Sequence, residues 1–398
     1  MTFTRLRACA TAGAALAALT LGSGQALATT PHAPHPLHYT VVDLGTLGGT
    51  ISSGIALDAD TVVGSSTLPG NTDFHAFAYD RATRTTTDLG TLGGTSSSTV
   101  AVQGRYVIGD STTADGNEHA FVYDLRTHHM TDLGTFGGTG SHVNAISGDT
   151  VVGSARTTGN QGEHAFAYDV RTGRMTDLGS LAGPSGVSSA AGISQGRFIT
   201  GTSDVTTAPD TTQHAFLYDL RTHRMTDLGA DGGASSQATA ISGNTVVGIT
   251  RTGSAPAPGA AHGFAYDIRT RAWTDLGDHM IAHLQVSGHT AAGTDGHTAY
   301  TVDLTTGVRT QLGLGQGSTG VNGITGRVVV GETNPGPLAF AYRTDTHSST
   351  LLPAPGGLYS TATSADEQGA VAGTAATTTD PDTVNSSYHA VLWIPSRH

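Results

Sequence analysis

Along most of the chain the apolar positions alternate rather than cluster. The stretch HAFAYD (His164–Asp169) puts His164, Phe166 and Tyr168 on one side of an extended backbone and Ala165 and Ala167 on the other, the period of two that marks a strand. VRTG (Val170–Gly173) then turns the chain back into RMTDLG, a second strand. Upstream, NAISGDTVVG (Asn144–Gly153) is two short apolar runs meeting at Gly148-Asp149. Gly at the first central position is what a two-residue type II′ hairpin needs, because φ is positive there. No window carries a 3.6-residue apolar stripe, and the density of Gly, Thr and Ser is hostile to helix. The pattern predicts an all-β chain built from units of four antiparallel strands, here called a to d in chain order.

The unit recurs. DLG begins at Asp43, Asp88, Asp132, Asp177, Asp227 and Asp275, with weaker copies at Gln311 and Leu351, so that the spacings are 45, 44, 45, 50, 48, 36 and 40 residues. HAF begins at His75, His119, His164 and His214, weakens at His262, Thr298 and Leu338, and returns as HAV at His389. Four strands in such a period match a propeller blade. The last unit ends after its strand c, whereas the chain opens with YTVVDLG (Tyr39–Gly45), a strand d with no c before it. The expectation is a closed β-propeller of about eight blades, seven or eight, with the N-terminal strand completing the last one. In such a ring the large face of HAFAYD packs on the small face of a neighbouring blade, and DLGTLGG carries the chain from one blade to the next.

Composition changes the picture at the ends. Residues 1–28 hold Arg5 and Arg7, an apolar run from Ala8 to Leu21 and a terminal ALA, the layout of a secretory signal cut near Ala28. Residues 29–38 read as a Pro/His-rich leader and 39–398 as one propeller domain. Cys9, the only cysteine, falls in the signal, so the exported chain has neither disulfides nor thiolate metal sites. It carries 31 acidic residues against 17 basic ones, all arginine, the full chain's 19 less Arg5 and Arg7. That balance argues against nucleic acid as a partner. No stretch is long and apolar enough for a membrane span, and the expected state is a secreted monomer whose partner is an unknown extracellular or cell-surface ligand.

GNEHAFVYDLRTHHMTDLGTFGG (Gly116–Gly138) resembles the extracellular HAF repeat family of bacterial secreted proteins. The resemblance runs over residues 39–398, with specific matches in the first five units and degenerate ones in the last three. It implies export and a repetitive β fold, and it implies no established activity, substrate or catalytic residue.

The recurring polar residues are read as structural. His75, His119, His164, His214, His262 and His389 occupy one position of the unit, spread around the ring; each is expected to be buried and hydrogen-bonded to backbone, Asp or Thr. The Asp of TDLG is expected to accept backbone N–H groups at its Gly-rich turn rather than to hold Ca²⁺, since no loop supplies the oxygens that ion needs. GISQG (Gly192–Gly196) fits a nucleophile elbow but falls on an a–b hairpin. GQGSTG (Gly315–Gly320) is followed by a strand, not by a phosphate-binding helix. HAPHPLH (His32–His38) reads as flexible leader. No catalytic residue, cofactor or metal is assigned.

What differs between units is the better guide to function. The b–c loops run from short (Thr294–Gly296) to long (Ser203–Gln213, Thr250–Ala261, Ala375–Tyr388) and carry Asp204, Asp210, Asp295 and Glu332, while the opposite c–d turns carry arginines, among them Arg171, Arg221 and Arg269. The favoured reading is a secreted binding or scaffold module acting through the b–c loops or an arginine-bearing rim. The alternative is a secreted hydrolase or lyase acting on polysaccharide, with carboxylates at the mouth of the ring about 5 to 10 Å apart.

Overall fold

The computed structural model describes residues 38–206, 211–252, 260–314, 318–334, 336–357, 359–379 and 387–396; residues 1–28, expected as a signal, and nearly all of 29–38, expected as a leader, lie outside them. Strand β1 (Tyr39–Asp43) is followed by β2 (Ser52–Asp58), β3 (Thr61–Thr67), β4 (Phe74–Asp80) and β5 (Thr85–Asp88). Next come β6 (Gly93–Gln103), β7 (Tyr106–Thr113), β8 (Glu118–Asp124) and β9 (His129–Asp132), then β10 (Gly137–Ser147), β11 (Thr150–Thr157), β12 (Glu163–Asp169) and β13 (Arg174–Gly179). The middle of the chain gives β14 (Ser188–Ser194), β15 (Phe198–Asp204), β16 (Gln213–Asp219), β17 (Arg224–Gly229), β18 (Ser235–Ser242), β19 (Thr245–Arg251), β20 (Ala261–Asp267) and β21 (Ala272–Gly277). The last units are β22 (Ala282–Ser287), β23 (Thr290–Thr294), β24 (Ala299–Asp303) and β25 (Arg309–Gln311); β26 (Ser318–Thr325), β27 (Val328–Asn334), β28 (Ala339–Arg343) and β29 (Ser348–Leu351); and β30 (Ser360–Ala365), β31 (Val371–Ala376) and β32 (Tyr388–Pro395). Among the described residues, helix is confined to one 3-10 turn, Thr158–Asn160, and none is long and apolar enough to cross a membrane.

The chain is all-β and propeller-like. Among the described residues the strands form seven sheets, six of four strands and one of eight, in which β6–β9 and β10–β13 are joined by a single parallel bridge between Glu118 and Gly140. Within each unit the order is a-b-c-d, as the turn chemistry requires. At the a–b turn Gly148 has φ +62° while Asp149 stays out of the left-handed region, the type II′ signature. Strand b also needs a glycine for a different reason: Gly109 pairs with Phe121, and a Cβ there would sit 2.0 Å from the Ser98 carbonyl and 2.8 Å from the Phe121 ring.

Packing between sheets follows the alternation. Phe166 and Tyr168 of β12 bury against Ala120 and Val122 of β8, and Ala165 and Ala167, on the other side of β12, lie under Phe216 and Tyr218 of β16. The same contact joins the chain's ends, because Phe77 and Tyr79 of β4 pack on Ala390 and Leu392 of β32. Strand β1 pairs antiparallel with β32, from Tyr39↔Pro395 to Asp43↔Val391. Thr363 of β30 donates to the Gly54 carbonyl of β2 at 3.0 Å. The first strands of the units pack successively, β2 on β6, β6 on β10 and onward to β26 on β30 and β30 on β2.

Candidate functional site

The recurring His and Asp find each other. In the unit of β10–β13, His164 Nδ1 lies 3.0 Å from both carboxylate oxygens of Asp177; an ionised carboxylate only accepts, so the imidazole donates. Asp177 Oδ1 also accepts the Gly179 N–H at 2.7 Å. The Gly179 carbonyl accepts Ser188 Oγ from the next sheet at 2.6 Å, and Ser188 Oγ accepts the Ala165 N–H at 2.8 Å. HAF, DLG and a serine on the first strand of the next unit thus form one latch across the seam. The His–Asp pair and the serine that accepts the alanine N–H recur at His75–Asp88 with Ser97, His119–Asp132 with Ser141, His214–Asp227 with Ser236 and, across the chain ends, His389–Asp43 with Ser52. His262–Asp275 is longer, 3.3 Å. Burial pushes the Asp43 carboxyl up, but the bonds from His389 and the Gly45 N–H outweigh it and hold it below its ordinary value.

The expected hydrogen bonding of these histidines is therefore found, with the motif's own Asp as partner. Only His164 is buried, 5% exposed; the other five keep partial contact with solvent. The pairing had a sequence signal, since each of the five His–Asp pairs within one unit is separated by 13 residues.

The arginines stand on the c–d turns. Arg171, Arg221 and Arg269 are exposed, and the Asp two residues before each accepts that arginine's own backbone N–H at 2.8–3.0 Å. Asp169, Asp219 and Asp267 thus shape their turns. Asp219 in addition takes a two-pronged contact from Arg197 at 2.7 and 2.8 Å, which holds its carboxyl down at about 2. Arg171 borders an open groove of about 400 Å³ with Arg105, Tyr106, Asp124 and His129.

The three described loop acids do not converge. Asp204 is 5% exposed; it accepts the Val187 N–H and Gln213 Nε2 at 2.9 and 3.1 Å. Asp295 accepts the N–H groups of His297 and Thr298, both at 2.7 Å, in its own turn. Burial raises its carboxyl, and those two bonds with nearby His279 more than reverse the effect. Glu332 on β27 accepts the hydroxyl of Thr361 on β30. Asp210 lies outside the described residues. Of the motifs set aside, GISQG forms the end of β14 and its hairpin, with no helix after it.

One cluster was not foreseen. Asp110 on β7, Glu118 at the start of β8 and His142 on β10 bring a ligating atom each within 4.8 Å of one another. Asp110 Oδ1 accepts the Val143 N–H at 3.0 Å, and Oδ2 lies 3.5 Å from His142 Nδ1. Asp110, then Glu118 and Glu163, raise the imidazole's affinity for a proton against the opposing effect of burial. The signal was a departure from the repeat: Ser65, Ser154 and Thr202 stand where Asp110 does, opposite the HAF alanine, and Ser53, Ser98 and Ser189 stand where His142 does.

No family model matches this chain, and no curated protein matches it. Solved structures do, at low identity. The Dos1 propeller is 14% identical, with 90% of this chain and 94% of that one covered and a TM-score of 0.55. The β-propeller domain of the Trilobed protease from Pyrococcus furiosus, described as having an open velcro topology, is 8% identical over 78% and 97% of the two chains, with a TM-score of 0.50. A structure from work on two prolyl endopeptidases is 10% identical, covering 83% of this chain and 55% of that one, with a TM-score of 0.55. At these identities the likeness is one of fold.

Proposed function

We propose that the chain is an exported eight-bladed propeller, closed by β1 on β32, that serves as a binding module for an extracellular or cell-surface polymer. In this reading β6–β9 and β10–β13 count as two blades, residues 1–28 are removed near Ala28, and the protein belongs with the HAF repeat proteins. The observation that carries it is the fate of the repeated chemistry. His and Asp recur at the b–c end of the sheets, but five of the six pairs are engaged in latches between sheets. What is left to meet a ligand is what varies, namely the b–c connections and the groups that depart from the repeat beside them, on a frame whose sheets stay constant. The arginines of the c–d turns lie at the opposite end, where clustered charge attracts anionic polymers without specifying one.

The test incubates the mature protein with a panel of insoluble cell-wall polymers and acidic polysaccharides, measuring retention and, in the same tubes, release of soluble products. Retention on a particular polymer with no product supports the reading. Turnover of any polymer replaces it with the hydrolase or lyase alternative. Retention abolished by changing Arg171, Arg221 and Arg269 together to Ser moves the binding surface to the arginine end.

A further inference from the structure

We propose that Asp110, Glu118 and His142 form a binding site for a divalent first-row transition cation, of the Zn²⁺ or Mn²⁺ kind, at the seam between β6–β9 and β10–β13. The inference rests on donor geometry and stands whether or not the polymer-binding reading holds.

The three groups come from three strands and two units, so the fold itself brings them together. Asp110 is on a b strand and His142 on the a strand of the following unit. The matching positions one seam from the chain's end, Glu332 and Thr361, are joined by a hydrogen bond, so side chains at these two positions meet across a seam. Glu118 joins them because the parallel bridge Glu118–Gly140 draws the start of β8 against β10, the single bridge that merges two units into one sheet among the described residues.

His142 and Asp110 stand further apart than the latched pairs. In the five tight latches the imidazole sits 2.9–3.0 Å from its carboxylate. His142 Nδ1 stands off at 3.5 Å from Asp110 Oδ2. Bonds of about 2.0–2.2 Å to one cation hold neighbouring donor atoms about 3.0–3.6 Å apart; the His142–Asp110 separation falls in that range, and the Glu118 carboxylate lies within 4.8 Å of both donors.

The support around the donors is also that of a metal site. The Val143 N–H fixes one oxygen of Asp110 and leaves the other facing His142, the arrangement by which a backbone group orients a ligating carboxylate. Two carboxylates and one imidazole suit zinc, manganese or iron(II), whereas Ca²⁺ takes six to eight oxygens. Glu163 on β12 adds negative charge nearby, and with Glu118 exposed the remaining coordination positions open to solvent, where water or a ligand oxygen completes the shell.

The experiment titrates the tag-free, chelator-stripped mature protein with Zn²⁺, Mn²⁺ and Ca²⁺ separately by calorimetry, for wild type, His142→Ala and Glu118→Gln, with a thermal melt of each. The expected result is one equivalent of Zn²⁺ or Mn²⁺ bound by the wild type, raising its Tm, and affinity lower by at least about tenfold in both variants, the size of loss seen when a metal's supporting groups are removed. Both changes are on side chains open to solvent, so the stripped variants should melt close to the stripped wild type. Binding equal in all three proteins would place the ion on other histidines, such as those of His32–His38, and overturn the site. So would absence of saturable binding, or Ca²⁺ binding more tightly than Zn²⁺ and Mn²⁺.

Discussion

The seams around β10–β13 and those around β22–β29 solve one packing problem with different means. At the former, His164, Asp177, Gly179 and Ser188 close a hydrogen-bonded circuit between sheets. In the latter, Thr298 and Gln311, then Leu338 and Leu351, replace the His–Asp pair. Seam β20–β22 is intermediate, with His262–Asp275 stretched to 3.3 Å and Ala282 opening β22. There, side chains that the regular units lack fill the gap: Met280 and Leu284 are both fully buried, beside Leu276 and Ala291. Apolar packing keeps the sheets together wherever it is continuous, and the polar latch fixes their relative register. The chain ends make the second point sharply. His389, Asp43, Ala390 and Ser52 build the same latch although Asp43 and His389 are 346 residues apart, so the motif is a property of neighbouring sheets and not of a continuous hairpin.

The contrast should be largest in the core. Phe166 is fully buried between two sheets, and Phe166→Ala is expected to cost about 3–5 kcal/mol. Tyr300 holds the matching position in β24 but is only half-buried, with one face on His279 at 5.3 Å between ring centres. Tyr300→Ala should cost roughly half as much or less, because the cavity left is open to solvent. Chemical denaturation of both variants decides; equal losses would mean that the degenerate units are packed as tightly as the regular ones.

The latch comes next. Ser188→Ala strands the Ala165 N–H and the Gly179 carbonyl in a buried seam, at about 1–3 kcal/mol. His262→Ala, at the stretched and half-exposed pair, should cost about 1 kcal/mol or less. If the two substitutions shift the urea midpoint equally, the latch is incidental to the packing and the division between seam types falls.

Much of this was legible in the sequence, for a physical reason. Strand identity, the a–b turn glycines and the large-on-small alternation are each written in residues a few positions apart, and complementary half-units at Tyr39 and His389 gave the pairing of β1 with β32. The latch was half-read. The sequence assigned His to a polar partner and Asp to a backbone turn, and both assignments hold, but that each was the other's partner needed the β-bulge that sets Phe166 opposite Asp177 and Ala165 opposite Gly179. The cluster of Asp110, Glu118 and His142 was not read. Its members belong to two units, and only the approach of β8 to β10 unites them. The loop acids failed as a group for the converse reason: Asp204, Asp295 and Glu332 are distinctive in sequence, yet each is spent on its own strand, turn or seam.

Smaller effects are expected at the c–d turns, where the last residue lies in the left-handed region whether or not it is glycine. Gly173 has φ +67° and Arg271 +60°. Gly173→Ala should cost about 1 kcal/mol, and Arg271→Gly should gain about 0.5–1 kcal/mol by relieving the same strain. Thermal midpoints moving in opposite directions would place the strain in the backbone; a loss on Arg271→Gly would mean that the side chain holds that turn in a way its conformation does not reveal.

The smallest effect concerns the two arginines at the start of b strands. Arg197 reaches Asp219 with two nitrogens, whereas Arg327 is 72% exposed and touches Asp345 through one, at 3.4 Å. The Asp219 carboxyl is held at about 2 by that guanidinium first, with backbone N–H support from Arg221, below the value of about 3.9 expected in the unfolded chain. A depressed folded pKa contributes stability that is complete above about pH 4 and is lost as pH falls through about 2. Removing Arg197 lets the folded carboxyl rise, so Arg197→Gln should cost most between pH 5 and 7, at most about 1 kcal/mol for a pair so open to water, and converge on the wild type towards pH 2. Arg327→Gln should track the wild type at every pH, because Arg343 already pairs with Asp345 at 2.7 Å. Urea midpoints for the three proteins at pH 7, 4, 3 and 2 read this directly. A deficit in Arg197→Gln that stays constant down to pH 2 would show that the guanidinium acts by stacking over Phe198, 4.3 Å from its ring centre, and not through the Asp219 charge.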